Sequence, residues 1–483
     1  MTDLSERAPD RLPDFATVET PWGAFVAVED DGVQRIRNIR YARADRFAPA
    51  EAVDPDPASS ADLQFTTIAC PQPPSPSAAI LGEPLEGAVL DEDCLRVTIT
   101  RPAAAAGPLP VMVWIHGGAH VSNAGDLPGF DPSALAREHG VLVVAPTFRL
   151  GLLGFAGDGL DSGPGAGPRR PANLGLLDVI TALRWVREHV AGFGGDPEQV
   201  TVFGQSSGAD AIAHVLAADG TEGLLTRVVL QSAPFGIRTD RDELQAKMRD
   251  AIGVIPADAS TDDVGALQLV AKQAGSGFGL RSGMSFGPEA GRAPLPAEAE
   301  IPEAWRRRAA GLDVLVTWTT EETMFYLGTV PKLERLFRVP LLGALARRVL
   351  VGATTKKVYS RDGRRFAELL ASGGARVQVG VFDGHPDDSG MGAAHAIELP
   401  LLFPNVPVWS RAALLAPDGA STLVEAGAPL RAAWAEFART GRITRSRIPL
   451  GPDGRVACGW RISADRPIDR PTVRPSDRAK EPA

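Results

Sequence analysis

Short apolar runs alternate with amphipathic stretches through the middle of the chain. The runs are rich in β-branched residues and occupy residues 110–115, 141–146, 200–203, 227–232, 311–317 and 376–382. A continuous apolar run is typical of a strand that is buried on both faces. Residues 173–190, by contrast, carry apolar side chains at helical spacing. This alternation predicts an α/β fold, with a mostly parallel central sheet and helices on both faces.

The flanking segments show other patterns. Residues 17–28 and 33–41 hold enough β-branched and aromatic residues for a small N-terminal antiparallel hairpin, with Asp30-Asp31-Gly32 as its turn. Residues 236–310 are less regular and predict a helical insertion over the active face. We expect one domain over residues 17–465, with flexible tails at 1–16 and 466–483.

Composition narrows the class of protein. The chain has 483 residues, of which 44% are hydrophobic, so it can bury a large core. Its formal charge of −9 is mild, and the sequence has no basic stripe that would bind nucleic acid. No apolar run approaches the length of a membrane span, and the N-terminus lacks the apolar h-region of a secretory signal. Cys70, Cys94 and Cys458 fit no zinc or redox motif. We expect a cytoplasmic protein with no metal, cofactor, nucleic-acid or membrane partner; the oligomeric state is not indicated.

The sequence Gly204-x-Ser206-x-Gly208 follows one of the apolar runs and precedes an alanine-rich stretch. Strand, tight turn and helix form the context in which this motif is a nucleophile elbow. The two glycines remove side chains that would clash with a strained turn. The five residues alone match by chance about as often as not, but their context favours a nucleophilic Ser206.

Other candidate groups follow other strand ends. Residues 116–119 read His-Gly-Gly-Ala, and such a loop can aim several backbone N–H groups at one point, although a flexible turn is the alternative. An acidic pair, Glu321 and Glu322, follows a later strand, and His385 and His395 follow the last one. Serine, acid and histidine in this order are typical of α/β-hydrolases.

These motifs together resemble the carboxylesterase type B family, which includes bacterial p-nitrobenzyl esterases, liver carboxylesterases and cholinesterases. The resemblance runs from about Val18 to Gly441. The matching stretches are residues 39–42, 46–47, 92–95, 114–118, 149–151, 154–155, 173–178, 193–197, the elbow, 231–232, 321–322, 395 with 398–400, and 437–441. The resemblance implies an α/β-hydrolase fold and hydrolysis of a carboxylic ester through a serine acyl-enzyme.

The resemblance also implies roles for individual residues. Ser206 falls on the family's nucleophile, Glu322 on its acid and His395 on its base. In such a triad the histidine takes the serine proton and the carboxylate fixes the imidazole tautomer. Glu321 is the rival acid and His385 the rival base; the neighbouring motif residues favour Glu322 and His395.

The oxyanion hole carried over from the family consists of the backbone N–H groups of Gly118, Ala119 and Ser207. One departure lies beside the nucleophile, where the family usually has glutamate and this chain has Gln205. Cys70 and Cys94 fall where secreted relatives form a disulfide, and we expect both thiols to be free in a reducing compartment.

The substrate is less well indicated. No aromatic residue lies between Phe65 and Trp114, where cholinesterase-like relatives place a cation-binding tryptophan, so a choline ester is disfavoured. We expect an apolar cleft for small to medium uncharged esters. Phe235, Trp318 and Phe325 are candidate substrate-binding residues, with core packing as the alternative for each.

Two other functions remain open at this stage. A related serine hydrolase would cleave carbamates, amides or lactones with the same groups, because one fold and one triad serve many acyl substrates. A non-catalytic family member would act as a binding module, although the intact Ser206, Glu322 and His395 disfavour that reading.

Overall fold

The computed structural model describes residues 14–75, 77–157, 171–253, 255–256, 258–328, 330–384, 390–416, 419–449 and 459–462. Most of residues 1–16, the tail at 466–483, His385 and Cys458 lie outside these ranges. A twelve-stranded sheet crosses the molecule. Its strands are β1 (Asp14–Thr20), β2 (Gly23–Asp30), β3 (Val33–Arg40), β4 (Arg96–Pro102), β5 (Leu109–Ile115), β6 (Leu142–Pro146), β7 (Gly195–Gln205), β8 (Arg227–Gln231), β9 (Asp313–Thr319), β10 (Arg376–Phe382), β11 (Arg447–Pro449) and β12 (Gly459–Ile462).

The centre of the sheet is parallel and its edges are antiparallel. Strands β6, β5, β7, β8, β9 and β10 lie side by side in that order and run in one direction. Strands β1 to β4 form an antiparallel meander that joins the centre at β6, and β12 and β11 close the opposite edge. The predicted, largely parallel sheet is confirmed.

The N-terminal hairpin is also confirmed, with one difference in detail. Asp31 and Gly32 have φ values of +49° and +75° between paired residues Asp30 and Val33, so β2 and β3 are joined by a two-residue turn. The segment 17–28, however, is not one strand. It turns at residues 21–22 and continues as β2, because Gly23 adopts a φ of +118° that other residues avoid.

Helices cover both faces of the sheet. They are α1 (Ala78–Leu81), α2 (Ser133–His139), α3 (Gly151–Phe155), α4 (Leu174–His189), α5 (Ser207–Ala217), α6 (Asp242–Ile252), α7 (Thr261–Ala274), α8 (Ile301–Arg308), α9 (Met324–Leu327), α10 (Pro331–Phe337), α11 (Leu342–Thr355), α12 (Arg361–Ser372), α13 (Leu399–Leu402), α14 (Val406–Trp409) and α15 (Leu423–Thr440). None of those in the described ranges combines the length and apolarity needed to cross a membrane.

Two apolar cores explain the continuous apolar runs. Along β5, Val111, Val113 and Ile115 belong to one core, whereas Met112 and Trp114 belong to the other. Successive side chains of a strand point to opposite faces, so a strand covered on both sides needs apolar residues at every position. The parallel strands run in one direction, so their carboxyl ends lie on the same side of the sheet. The candidate groups follow these strand ends.

Candidate active site

Ser206 occupies the turn between β7 and α5 with a strained backbone. Its φ is +57° and its ψ is −123°, and its N–H donates to the Gln231 carbonyl at 2.8 Å. The flanking glycines are required by close approach, because a Cβ on Gly204 or Gly208 would lie 2.7 or 2.0 Å from the Ile115 carbonyl oxygen. Such strain persists only where the surroundings hold it, as at a nucleophile elbow.

His395 and Glu322 form a buried pair near this turn. The Nδ1 atom of His395 lies 2.5 Å from Oε2 of Glu322, and the Glu322 Oε1 accepts the Thr319 N–H at 2.7 Å. The His395 N–H also donates to the Glu322 carbonyl at 3.1 Å. A carboxylate on Nδ1 keeps the proton of a neutral imidazole on that atom, so Nε2 is left as the acceptor.

The neighbouring acid has a different partner. Glu321 accepts hydrogen bonds from the Arg347 guanidinium at 2.8 and 3.0 Å and is partly exposed. Of the two carboxylates, only Glu322 has a hydrogen bond to the His395 ring among the described residues. The rival base, His385, lies outside the described residues.

Gln205 is the neighbour of Nε2 on His395. Its amide nitrogen Nε2 lies 3.1 Å from that ring atom and both residues are buried. With Nδ1 protonated, the amide donates to the imidazole lone pair. Gln205 therefore shares the lone pair that a serine hydroxyl proton would use.

Three backbone N–H groups, in the loop after β5 and next to Ser206, lack an acceptor within the described part of the chain. They are those of Gly118, Ala119 and Ser207. Gly118 and Ala119 take φ values of +120° and +55°, and the Ser207 hydroxyl accepts the His120 N–H at 3.2 Å, which ties the loop to α5. Free donors of this kind can bind an oxygen that gains negative charge.

A buried cluster of charged residues contacts the loop after β5 through His120. Asp210 lies 3.2 Å from Nε2 of His120, 3.3 Å from Nδ1 of His214 and 2.6 Å from Nε of Arg238. Burial acts to raise the pKa of Asp210, but Arg238 and the two histidines hold it well below its ordinary value. Burial lowers the pKa of His116 to about 4, so this histidine is neutral at ordinary pH.

Comparison with known proteins fits this geometry. The sequence profile described as the Carboxylesterase family matches residues 17–335. The chain belongs to the carboxylesterase family. It is 35% identical to the probable N-octanoylanthranilate hydrolase of Rhodococcus erythropolis, over 90% of this chain and 95% of that protein. It is 32% identical to the para-nitrobenzyl esterase of Bacillus subtilis, over 88% and 90% of the two chains.

Solved structures and a third relative extend the comparison. A thermophilic pNB esterase superposes with a TM-score of 0.73 at 28% identity, covering 90% of this chain and 93% of its own. The phenmedipham hydrolase of Pseudarthrobacter oxydans is 29% identical over 80% of this chain and 81% of that protein. The predicted family, the α/β-hydrolase fold and the class, a serine hydrolase acting on ester bonds, are confirmed.

Two cavities of this carboxylesterase meet at Ser206. The larger, of about 270 Å³, is lined by Gly118, Phe325, Lys272 and His395, among others. The smaller, of about 200 Å³, has mainly apolar walls, formed by Pro234, Ile237, Leu280, Met284, Leu327 and Val358. Ala119, Ser206, Gly283 and Tyr326 line both. We call them the larger and the smaller cavity.

The three aromatic residues predicted to bind substrate have different positions. Phe325 lines the larger cavity, with its ring centroid 5.7 Å from that of His395. Phe235 lines neither cavity at Ser206, because its ring stacks on Phe366 at 4.7 Å. Trp318 is buried under the Arg364 guanidinium, 4.9 Å from the ring centroid, and also lines neither. Phe235 instead lines a separate cavity of about 410 Å³, and substrate binding by Phe235 and Trp318 stays a prediction.

Sequence reasoning missed other lining residues of this carboxylesterase. Tyr326 and Tyr359 place ring centroids 6.0 and 5.2 Å from the His395 ring, and both line the smaller cavity. Burial raises the pKa of Tyr359 well above its ordinary value, so its hydroxyl stays protonated. A tyrosine four residues after Glu322 was a signal for Tyr326; no local signal marked Tyr359 or Lys272.

Proposed function

We propose that this carboxylesterase family member hydrolyses carboxylic esters through an acyl-enzyme on Ser206. His395 takes the hydroxyl proton through Nε2 as Ser206 attacks the carbonyl, and Glu322 stabilises the imidazolium. The observation that carries the proposal is the 2.5 Å contact between His395 and Glu322 beside a serine in a strained elbow, on the wall of one cavity.

The free N–H groups of Gly118, Ala119 and Ser207 would hold the oxygen of the tetrahedral intermediate. Removing one donor of this kind typically costs about 3 kcal/mol of transition-state stabilisation. His395 then returns its proton to the leaving atom, and the ester bond breaks to leave the acyl group on Ser206. Water, deprotonated by the same imidazole, completes hydrolysis.

The two cavities suggest which part of the substrate goes where. His395 lines the larger cavity and not the smaller one. Because the leaving group takes its proton from His395, it belongs in the larger cavity. The acyl chain then enters the smaller cavity, whose apolar walls favour an uncharged chain of small to medium length.

An amide carrying a similar acyl chain is the second candidate substrate. The relative from Rhodococcus erythropolis is described as a hydrolase of N-octanoylanthranilate. An octanoyl chain is apolar, like the walls of the smaller cavity, and anthranilate carries a carboxylate that Lys272 of the larger cavity could pair with. A carbamate is supported more weakly, by the more distant phenmedipham hydrolase.

The nucleophile is tested by covalent labelling. A fluorophosphonate probe should label the wild-type protein at Ser206. Ser206→Ala should not be labelled, and its ester turnover should fall by several orders of magnitude. Ser77→Ala is the matched control, since Ser77 also lines the larger cavity and should remain labelled and active. A label that persists in folded Ser206→Ala would overturn the proposal.

The substrate class is tested by a matched panel. Octanoyl and acetyl esters of one alcohol, the octanoyl amide of the corresponding amine and the matching carbamate are compared by kcat/KM. We expect the octanoyl ester to be the best substrate. An amide turned over faster than its ester would replace the first candidate by the second, without affecting the assignment of Ser206.

A further inference from the structure

Exposed apolar side chains are concentrated in one segment of the chain. Seven of the fifteen large apolar residues that are exposed in the described part of the chain lie between residues 330 and 350, which is too many for scattered surface residues. They are Val330, Val339, Leu341, Leu342, Leu345, Val349 and Leu350. We call the outer surface of α10 and α11, with the turn between them, the α10–α11 face.

The apolar residues of α11 form a stripe. Leu342, Leu345 and Val349 follow one another at steps of three and four residues and are 56%, 59% and 57% exposed. The inner side of the same helix is buried at Val351 and Thr355. A helix at the surface of a globular protein normally carries polar residues on the side away from the core. This helix instead carries apolar residues on its solvent-exposed side.

The same segment is strongly basic. Residues 331–357 contain seven lysines and arginines and a single acid, Glu334, in a chain whose overall charge is −9. Lys332, Arg335 and Arg348 are exposed, and no carboxylate pairs with them in the described part of the chain. An amphipathic element that is apolar on one side and rich in Lys and Arg is typical of peptides that lie on anionic lipid.

The α10–α11 face adjoins the smaller cavity. Thr354, in the last turn of α11, lines that cavity, as does Leu327 at the end of α9 just before α10. Leu280, which is itself 41% exposed, lines the same cavity. An apolar molecule held at the α10–α11 face would therefore lie close to apolar walls that lead to Ser206.

We propose that the α10–α11 face docks on the surface of an anionic lipid bilayer. Leu342, Leu345 and Val349 enter the boundary between headgroups and acyl chains, and the surrounding lysines and arginines pair with anionic headgroups. The element lies on the bilayer, since α11 does not have the length to cross it. The expectation of no membrane partner came from the absence of an apolar run long enough to span a bilayer, and such a criterion does not detect an element that lies on the bilayer surface.

Vesicle binding by the full-length protein tests this proposal. The protein is mixed with vesicles of phosphatidylcholine alone or with about 30% phosphatidylglycerol, and the bound fraction is measured by flotation. We expect about tenfold stronger partitioning onto the anionic vesicles at low ionic strength, and loss of most of that difference in high salt. Ser206→Ala should bind as wild type does, so this result is independent of the proposed chemistry.

Two variants separate the apolar and the charged contributions. Leu345→Gln with Val349→Gln, and Arg335→Glu with Arg348→Glu, should each weaken anionic-vesicle binding about tenfold while turnover of a soluble short ester stays unchanged. The control, Val89→Gln with Leu90→Gln, alters residues that are 50% and 44% exposed elsewhere and should bind normally.

Three outcomes would overturn the proposal. The first is no binding of wild type to anionic vesicles at low salt. The second is binding that both α10–α11 variants retain. The third is that light scattering shows a dimer, that the Leu345→Gln, Val349→Gln double variant is monomeric, and that neither protein binds vesicles. The α10–α11 face would then be an interface between copies of the chain.

Discussion

At the scale of single residues, the contact between Gln205 and His395 distinguishes this chain from the family pattern, which has glutamate at that position. The amide nitrogen lies 3.1 Å from the imidazole Nε2. A carboxylate there would accept a hydrogen bond from the protonated ring and favour the imidazolium, whereas the amide of Gln205 carries no charge. The base proposed here acts in its neutral form, so the charge at this position bears directly on its function.

Restoring the charge should move the pH profile. In Gln205→Glu, the acid limb of kcat/KM against pH should shift to higher pH, because a neighbouring carboxylate holds the imidazole protonated over a wider range. The measurement is a pH–rate profile on one neutral ester, with Gln205→Asn as the uncharged control. An acid limb that stays in place or moves downward would reject this account of Gln205.

Lys272 should favour anionic leaving groups. It lines the larger cavity, where Tyr326 and His395 are the other ionisable side chains on the described walls. Lys272→Glu should lower kcat/KM about fivefold for an ester with a carboxylate on its leaving group and change a neutral analogue less than about twofold, because an exposed charge pair is worth roughly 1 kcal/mol. Lys332→Glu is the control, since Lys332 lines neither cavity. Equal losses on both esters would rule out recognition of charge.

At the scale of elements, the elbow depends on how closely β5 and α5 approach. Gly208 opens α5 against the Ile115 carbonyl, so its backbone has no room for a side chain. Gly265, inside α7, has no atom within 4 Å of the position its Cβ would take. Close packing therefore requires a glycine at position 208, whereas no neighbouring atom requires one at position 265.

The corresponding alanine variants should differ in sign. Gly208→Ala places a Cβ 2.0 Å from a backbone oxygen, and we expect destabilisation by about 1–3 kcal/mol with loss of esterase activity. Gly265→Ala should raise the free energy of unfolding by about 0.5–1 kcal/mol through helix propensity and leave activity unchanged. Thermal melts and ester assays of both proteins test this. A Gly208→Ala protein with wild-type stability would mean that the elbow relaxes.

The elements that sequence predicted well are those whose signal is local. The apolar runs gave β5 to β10 because a strand buried on both faces needs no partner information to be recognised. The break at residues 21–22 was missed, since β-branched residues continue on both sides of it. Helices α10 and α11 were not predicted either, because their exposed leucines break the amphipathic pattern on which such predictions depend.

The candidate site divides in the same way. Motif position singled out Ser206, Glu322 and His395; in the structure Ser206 and His395 line one cavity and Glu322 contacts the His395 ring. The lining residues depend instead on which side of an element faces the cavity. Trp318, in β9, packs against Arg364 and lines neither cavity at Ser206, whereas Tyr359, far along the chain, lines the smaller one.

At the scale of the whole molecule, a buried carboxyl links stability to pH. Glu398 is fully buried; its Oε1 accepts from Gln231 at 3.2 Å, and its Oε2 has no partner among the described residues. Burial first, and the nearby Glu322 second, raise the pKa of Glu398 to about 7. The ordinary pKa of a glutamate is near 4.5. Between that pH and about pH 7, the folded protein therefore holds a proton that the unfolded chain has released.

Stability should therefore fall as pH rises through this window, and Glu398→Gln should abolish that fall. The amide imitates the protonated acid, so the variant should match wild type near pH 4.5 and be more stable at pH 8, by an amount on the order of 3 kcal/mol at most. Chemical unfolding at both pH values tests this, with the exposed Glu425→Gln as control. A variant that loses stability equally at both would show that Glu398 is ionised in the folded protein throughout.

The division into two cavities also determines which molecules can compete with water. In the proposed reaction, the acyl chain fills the smaller cavity and the departure of the first product leaves the larger cavity, which His395 lines, open. Any hydroxyl compound that fits the vacated space meets the same base. Because the forward and reverse steps share one path, an alcohol acceptor binds where the leaving group was and gives its proton to His395 as its oxygen attacks the acyl carbon, releasing Ser206. Added alcohols of that shape should divert the acyl group from hydrolysis to transesterification, in a ratio that follows their fit to the larger cavity.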